Sequence, residues 1–167
     1  MNKYIFIFIL LLTDLNLSSQ NLTYKKTELK KIFRESIEQK SKKIISLDSN
    51  PWVTNNTDSM FYKADTIKLI NLKEAPYNYG FCQIINWTFF KKDKFYLIES
   101  QTCKEPSSAK AGNASNFYIF KIRETEKGLI LETYNSFGIE NNYLVIGITK
   151  NETSNEILLK RINQLYN

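Results

Sequence analysis

Leu29, Ile32, Phe33 and Ile37 recur at intervals of three, one and four residues, with Lys30, Lys31, Arg34, Glu35 and Glu38 mostly between them. That period predicts a helix over 27–41 with one apolar face, capped by Thr27 and carrying Glu28 where a carboxylate opposes the helix dipole. The stripe is narrow and the neighbouring charges are mixed in sign, so its expected role is to cover a sheet or the end of a barrel rather than to lie on a membrane. From residue 49 the period shortens. Runs rich in Ile, Val, Thr, Phe and Tyr alternate with clusters of Asn, Gly, Lys and Ser. They predict strands over 60–63, 66–72, 81–91, 94–103, 116–124, 129–134, 142–150 and 155–162. Short turns such as Thr125-Glu126-Lys127-Gly128 and Asn151-Glu152-Thr153-Ser154 join most of them, and no helical pattern intervenes. The expected sheet is therefore antiparallel. Residues 49–57, 73–80, 104–115 and 135–141 are expected as the loops available to form a mouth, the third being the longest.

Cys82 and Cys103 lie symmetrically about the turn Lys91-Lys92-Asp93-Lys94. A hairpin with that tip pairs Cys82 with Cys103, Trp87 with Ile98 and Phe89 with Tyr96. Directly opposed β-carbons approach to about 4.5–5.5 Å, so a disulfide closes with modest adjustment. The same pairing puts Phe81, Gln83, Ile85, Trp87 and Phe89 on one face with Tyr96, Ile98, Ser100 and Thr102. The other face carries Cys82, Ile84, Asn86, Thr88 and Phe90 with Phe95, Leu97, Glu99, Gln101 and Cys103. The first face is the more aromatic and is assigned inward; a slip of one residue would reverse the assignment. Such a wall serves either as packed core or as the lining of a ligand cavity. For the second use the candidates are Phe81, Ile85, Trp87, Phe89, Tyr96 and Ile98, with Gln83 and Ser100 as polar groups.

At the N-terminus, Met1-Asn2-Lys3 precedes nine apolar residues at 4–12 and then polar ones, the pattern of a secretory signal peptide. The run is shorter than the roughly 20 residues a membrane-spanning helix needs. Cleavage near residues 18–20 divides the chain into a signal peptide (1–19), an N-terminal segment with the amphipathic helix (20–48) and an antiparallel β domain (49–167). No membrane span is expected after cleavage, and the expected location is secreted or periplasmic, where a disulfide is the default for two cysteines. The formal charge is +6 from 23 Lys and Arg against 17 Asp and Glu. The cations are spread without an Arg-rich tract, so no nucleic-acid partner is expected. The chain has no histidine, which removes the commonest general base and the commonest zinc ligand. Its cysteines are committed to the bridge, and its five glycines form no phosphate loop. No catalytic residue, metal or cofactor is expected, and the reading is non-enzymatic.

Over residues 50–162 the chain carries Asn50-Pro51-Trp52, then Asp65-Thr66-Ile67 before an apolar strand. Cys82 with Trp87-Thr88-Phe89, Cys103 with Glu105-Pro106, and Leu158-Leu159-Lys160-Arg161 follow. In that order these features resemble the small bacterial lipocalin-like domains. The resemblance implies a short helical segment leading into an antiparallel barrel, with a first-strand Trp packed against an Arg near the barrel's end. Trp52 and Arg161 would form that pair, a cation over an aromatic face, although Asn50 stands where the family has Gly. The expected fold is all-β with one N-terminal helix, an antiparallel meander closing into a lipocalin-like barrel of about eight strands. The alternative is an α+β fold, a helix on a curved antiparallel sheet as in cystatin-like proteins, with nearer five strands. The expected function is binding of a small hydrophobic molecule inside the barrel. A protein-interaction or inhibitor-like module with a solidly packed core is the alternative, and cavity volume separates the two.

Overall fold

The structure is a computed structural model that describes residues 24–37, 49–74, 78–101, 103, 107–109 and 114–162. The expected signal peptide, residues 38–41 of the expected helix, Thr102 and most of the 104–115 loop lie outside the described residues, and the observed helix already ends at Glu35.

Helix α1 (Lys26–Glu35) precedes β1 (Trp52–Asn55), and a single helical turn α2 (Met60–Lys63) links β1 to β2 (Thr66–Leu72). Then come β3 (Gln83–Lys91), β4 (Lys94–Gln101), the two-residue β5 (Ser108–Ala109) and β6 (Phe117–Thr125). β7 (Gly128–Asn135), β8 (Gly138–Lys150) and β9 (Ser154–Ile162) complete the sheet. Eight strands close into an antiparallel barrel in the cyclic order β1-β2-β9-β8-β7-β6-β4-β3, while β5 adds a short rung to β4. The expected all-β barrel is observed. Its order departs from a simple meander at one place, where β1 lies between β2 and β3. Both neighbours run antiparallel to β1 and so run in one direction. The end of β2 and the start of β3 therefore lie at opposite ends of the barrel.

Three expected boundaries are corrected. Residues 60–63 form the turn α2 and not a strand, because the consecutive left-handed residues Asp58 (φ 54) and Ser59 (φ 62) swing the chain into a helical turn. Residues 49–57 contain β1, whose Trp52, Val53 and Thr54 are all buried. A strand covered on both faces shows no alternation to read. The 135–141 loop shrinks to a tight turn at residues 136–137, closed by Gly138 with φ 126, a conformation glycine adopts without strain.

Helix α1 stoppers one end of the barrel with Leu29, Ile32 and Phe33, each at most 1% exposed. Phe33 stacks on Phe89 at 4.4 Å and meets Trp52 and Phe120 edge-on, both at 5.4 Å. Burying each such side chain stabilises by about 1.5–3 kcal/mol, which explains why the stripe, rather than the cap, sets the helix. The cap is a correction: the N-cap position is Lys25, in an extended conformation with no side-chain cap bond, and Thr27 lies inside the helix. At the other end the Ser36 hydroxyl donates to the carbonyl of Phe33 at 2.8 Å and accepts the Trp52 indole N–H at 3.0 Å. The helix is thereby tied to β1.

The β3–β4 hairpin decides what faces the interior. Lys91 pairs with Lys94 as its tip requires, but Phe90 bulges, and from Phe89 opposite Phe95 the register runs one residue off. Trp87 faces Leu97 and Ile85 faces Glu99. β3 keeps Ile85, Trp87 and Phe89 inward as expected, with Gln83 exposed at its start, whereas β4 is reversed, the effect that one extra residue has on a two-residue period. Phe95 is 1% exposed inside the barrel, and Tyr96 lies outside against Phe90 and Phe117 at 6.3 and 6.2 Å. Cys82 and Cys103 lie just past the last rung, Gln83 opposite Gln101, and are joined in a disulfide with Cα atoms 5.0 Å apart.

Candidate binding cavity

The barrel interior is filled next to α1 and open at the other end, where a cavity of about 470 Å³ is lined from six strands. Trp87 comes from β3, Phe95, Leu97 and Glu99 from β4, Tyr118 from β6, Thr133 and Asn135 from β7, Asn141 and Tyr143 from β8, and Arg161 from β9. Phe61 and Tyr62 of α2 and Ser115 and Asn116 before β6 complete the rim. Three rings on adjacent strands stack in series: Trp87 on Phe95 at 4.6 Å and 7°, and Phe95 on Tyr118 at 5.2 Å and 15°. Tyr143 meets Trp87 edge-on at 5.9 Å. The series forms an aromatic slab along one side of the cavity. The indole N–H of Trp87 is buried without a protein hydrogen-bond partner, a state that costs free energy unless an acceptor reaches it.

Arg161 organises the mouth. Its Nε donates to the carbonyl of Ala64 at 3.1 Å, its Nη1 to Asn141 Oδ1 at 2.7 Å and the Tyr143 hydroxyl at 3.4 Å, and its Nη2 to the carbonyl of Phe61. The guanidinium also sits 5.2 Å from the Phe61 ring centre and 5.4 Å from that of Tyr143. One planar cation thus fastens α2 across the mouth and braces β8. Glu99, on the facing wall, accepts from Asn56 Nδ2 at 3.1 Å. One cation and one carboxylate leave the lining without net charge.

Comparison with protein-family models, with curated proteins and with solved structures finds no match. The site therefore rests on its geometry.

Of the six residues expected to line a cavity, Trp87 borders it, although its ring is 1% exposed and belongs to the core. Ile85 and Phe89, at 0% and 1% exposure, are core residues on the same inward face. Phe81 precedes β3 and lines a separate shallow groove with Met60, Ala64 and Ile70. Tyr96 and Ile98 are corrected to the outer face, for the bulge at Phe90 turns β4 over, and Phe95, Leu97 and Glu99 take the inward places. The expected pair of Trp52 and Arg161 does not form. Trp52 turns toward α1, with its N–H on Ser36 and its ring against Phe33, whereas Arg161 stacks on Phe61 and Tyr143 at the open end. Tyr118, Thr133 and Tyr143 went unread although a signal existed. Each shares the two-residue period of buried neighbours, as in Tyr118-Phe120-Ile122, Leu129-Leu131-Thr133 and Tyr143-Val145.

Proposed function

We propose that this chain is an exported, non-enzymatic binding protein that holds a small, largely apolar molecule in the open half of its barrel. The observation that carries the reading is the cavity of about 470 Å³ at the open end of the barrel, bordered by the half-buried Leu97 and Tyr118 over the buried rings of Trp87 and Phe95. Ligand sites are commonly concave spaces of about 300–1,000 Å³, mostly apolar with a few placed polar groups. Leu97 and the half-buried Tyr118 ring favour a flat or extended apolar ligand. Arg161 and Glu99 balance, so the cavity selects by shape and polarity rather than by charge. The non-enzymatic reading is supported by the inventory: no histidine, both cysteines in the disulfide, and a guanidinium occupied by neutral acceptors. Export is supported by the apolar run at residues 4–12 and by a disulfide of the kind found in oxidising compartments.

Native mass spectrometry of the purified protein, followed by solvent extraction, tests the reading. Trp52→Phe leaves Trp87 as the single tryptophan, and its emission should change as hydrophobic probes are added. A clean apo mass together with Trp87 emission indifferent to every probe would sink the proposal.

A further inference from the structure

We propose a second site, for phosphate-bearing anions, in the cleft between α1 and the tip of the β3–β4 hairpin. Lys26, Lys30 and Arg34 lie four residues apart and form one row along α1. Lys92 at the hairpin tip faces that row across a concave space of about 340 Å³, and Lys121 of β6 borders it with its ammonium over the Tyr134 ring at 5.0 Å. Asp93 is the one carboxylate among the described residues of the lining, so the four cations Lys26, Lys30, Arg34 and Lys92 meet one anion. The acids of α1 are engaged elsewhere, Glu28 with Lys150 at 2.8 Å and Glu35 with Lys31 at 3.8 Å. Glu124 reaches the backbone N–H of Lys26 at 3.4 Å, outside the lining.

Like charges four residues apart destabilise a helix, and the row contains two such pairs. A bound dianion would turn both repulsions into attractions. The floor of the cleft is Phe120 and Ile122, 4% and 5% exposed, a low-dielectric base that strengthens charge interactions above it. Phosphate suits this arrangement better than a lone carboxylate. Its several oxygens satisfy a forked guanidinium and two or more ammonium groups together. The group belongs either to a free phosphorylated molecule or to a phospholipid headgroup at a membrane surface.

Calorimetric titration of the full exported chain with inorganic pyrophosphate at about 0.1 M ionic strength, where screening reaches within about 10 Å, tests the site. Sedimentation with phosphatidylglycerol or phosphatidylcholine vesicles runs beside it. Lys30→Glu and Arg34→Glu should each weaken binding about tenfold or more. Lys160→Glu, the same charge change at an exposed position on β9, should leave it unchanged. Stoichiometric pyrophosphate binding without vesicle sedimentation points to a free ligand; sedimentation with phosphatidylglycerol but not phosphatidylcholine vesicles points to a headgroup. Equal weakening by all three variants would show diffuse attraction and overturn the site. So would failure of both pyrophosphate and anionic vesicles to bind.

Discussion

Leu97→Phe separates an open barrel from a filled one by the sign of its effect. Leu97 lies on β4, packs against the core on one side and lines the cavity on the other. In a filled interior the larger ring would force its neighbours apart and cost about 1–3 kcal/mol. Here the three added ring carbons enter open space beside the aromatic slab. At roughly 0.8 kcal/mol per buried carbon the gain is limited to about 2 kcal/mol, and with one side still facing the cavity about 1 kcal/mol remains. Urea unfolding followed by tryptophan emission, with the disulfide intact in both proteins, measures the difference. The midpoint should rise by about 0.5 M with unchanged slope, for a slope near 2 kcal/mol per molar. A midpoint lowered by a similar amount would mean the interior is already full, and the cavity argument would fail.

Arg161→Met should destabilise by about 2–4 kcal/mol, since it strips the donor from the carbonyls of Phe61 and Ala64 and from Asn141. In a double-mutant cycle with Trp52→Phe its effect should add within about 0.5 kcal/mol; a larger coupling would restore the direct pair. Reducing the Cys82–Cys103 bridge, 21 residues apart, should cost about 3 kcal/mol by loop entropy, read as a lowered urea midpoint in reductant. Acid sensitivity should trace in part to Glu132. Burial pushes its carboxyl up, but hydrogen bonds from Tyr134 and Arg123, with the charges of Arg123 and Lys121, outweigh this and hold it below the ordinary range. A lowered folded value means stability present above the usual carboxylate pKa of about 4.3 and lost as pH falls through the folded value. Because Arg123 is 57% exposed, the effect should stay under about 1 kcal/mol. Glu132→Gln should lose less stability than wild type between about pH 5 and pH 3, and an equal loss would refute the assignment.

The readable parts of this fold were those governed by a repeating period. The α1 stripe emerged because Leu29, Ile32 and Phe33 share a helical face, and the barrel emerged because β6 to β9 alternate along hairpins with tight turns. The hairpin tip and the disulfide were legible from symmetry about Lys92-Asp93. What stayed hidden was aperiodic. The bulge at Phe90 has no composition that marks it, yet it alone exchanges Tyr96 and Ile98 for Phe95, Leu97 and Glu99 on the inner wall. The disulfide could not reveal the slip, because its cysteines sit beyond the last rung, Gln83 opposite Gln101. β1 is four residues long and buried on both faces, and its place between β2 and β3 is a long-range choice that no local pattern encodes. The resemblance placed Arg161 over Trp52, but its rings belong to Phe61 and Tyr143, brought together only by the closed barrel.

The central claim is that the open half of the barrel is a binding cavity. Titration with the neutral probe N-phenyl-1-naphthylamine, comparing wild type with Leu97→Trp by probe emission, tests it most directly. The account predicts saturable binding at one site, weakened about tenfold or more when the introduced indole occupies the cavity. No binding to wild type, or equal binding to both proteins, would contradict it.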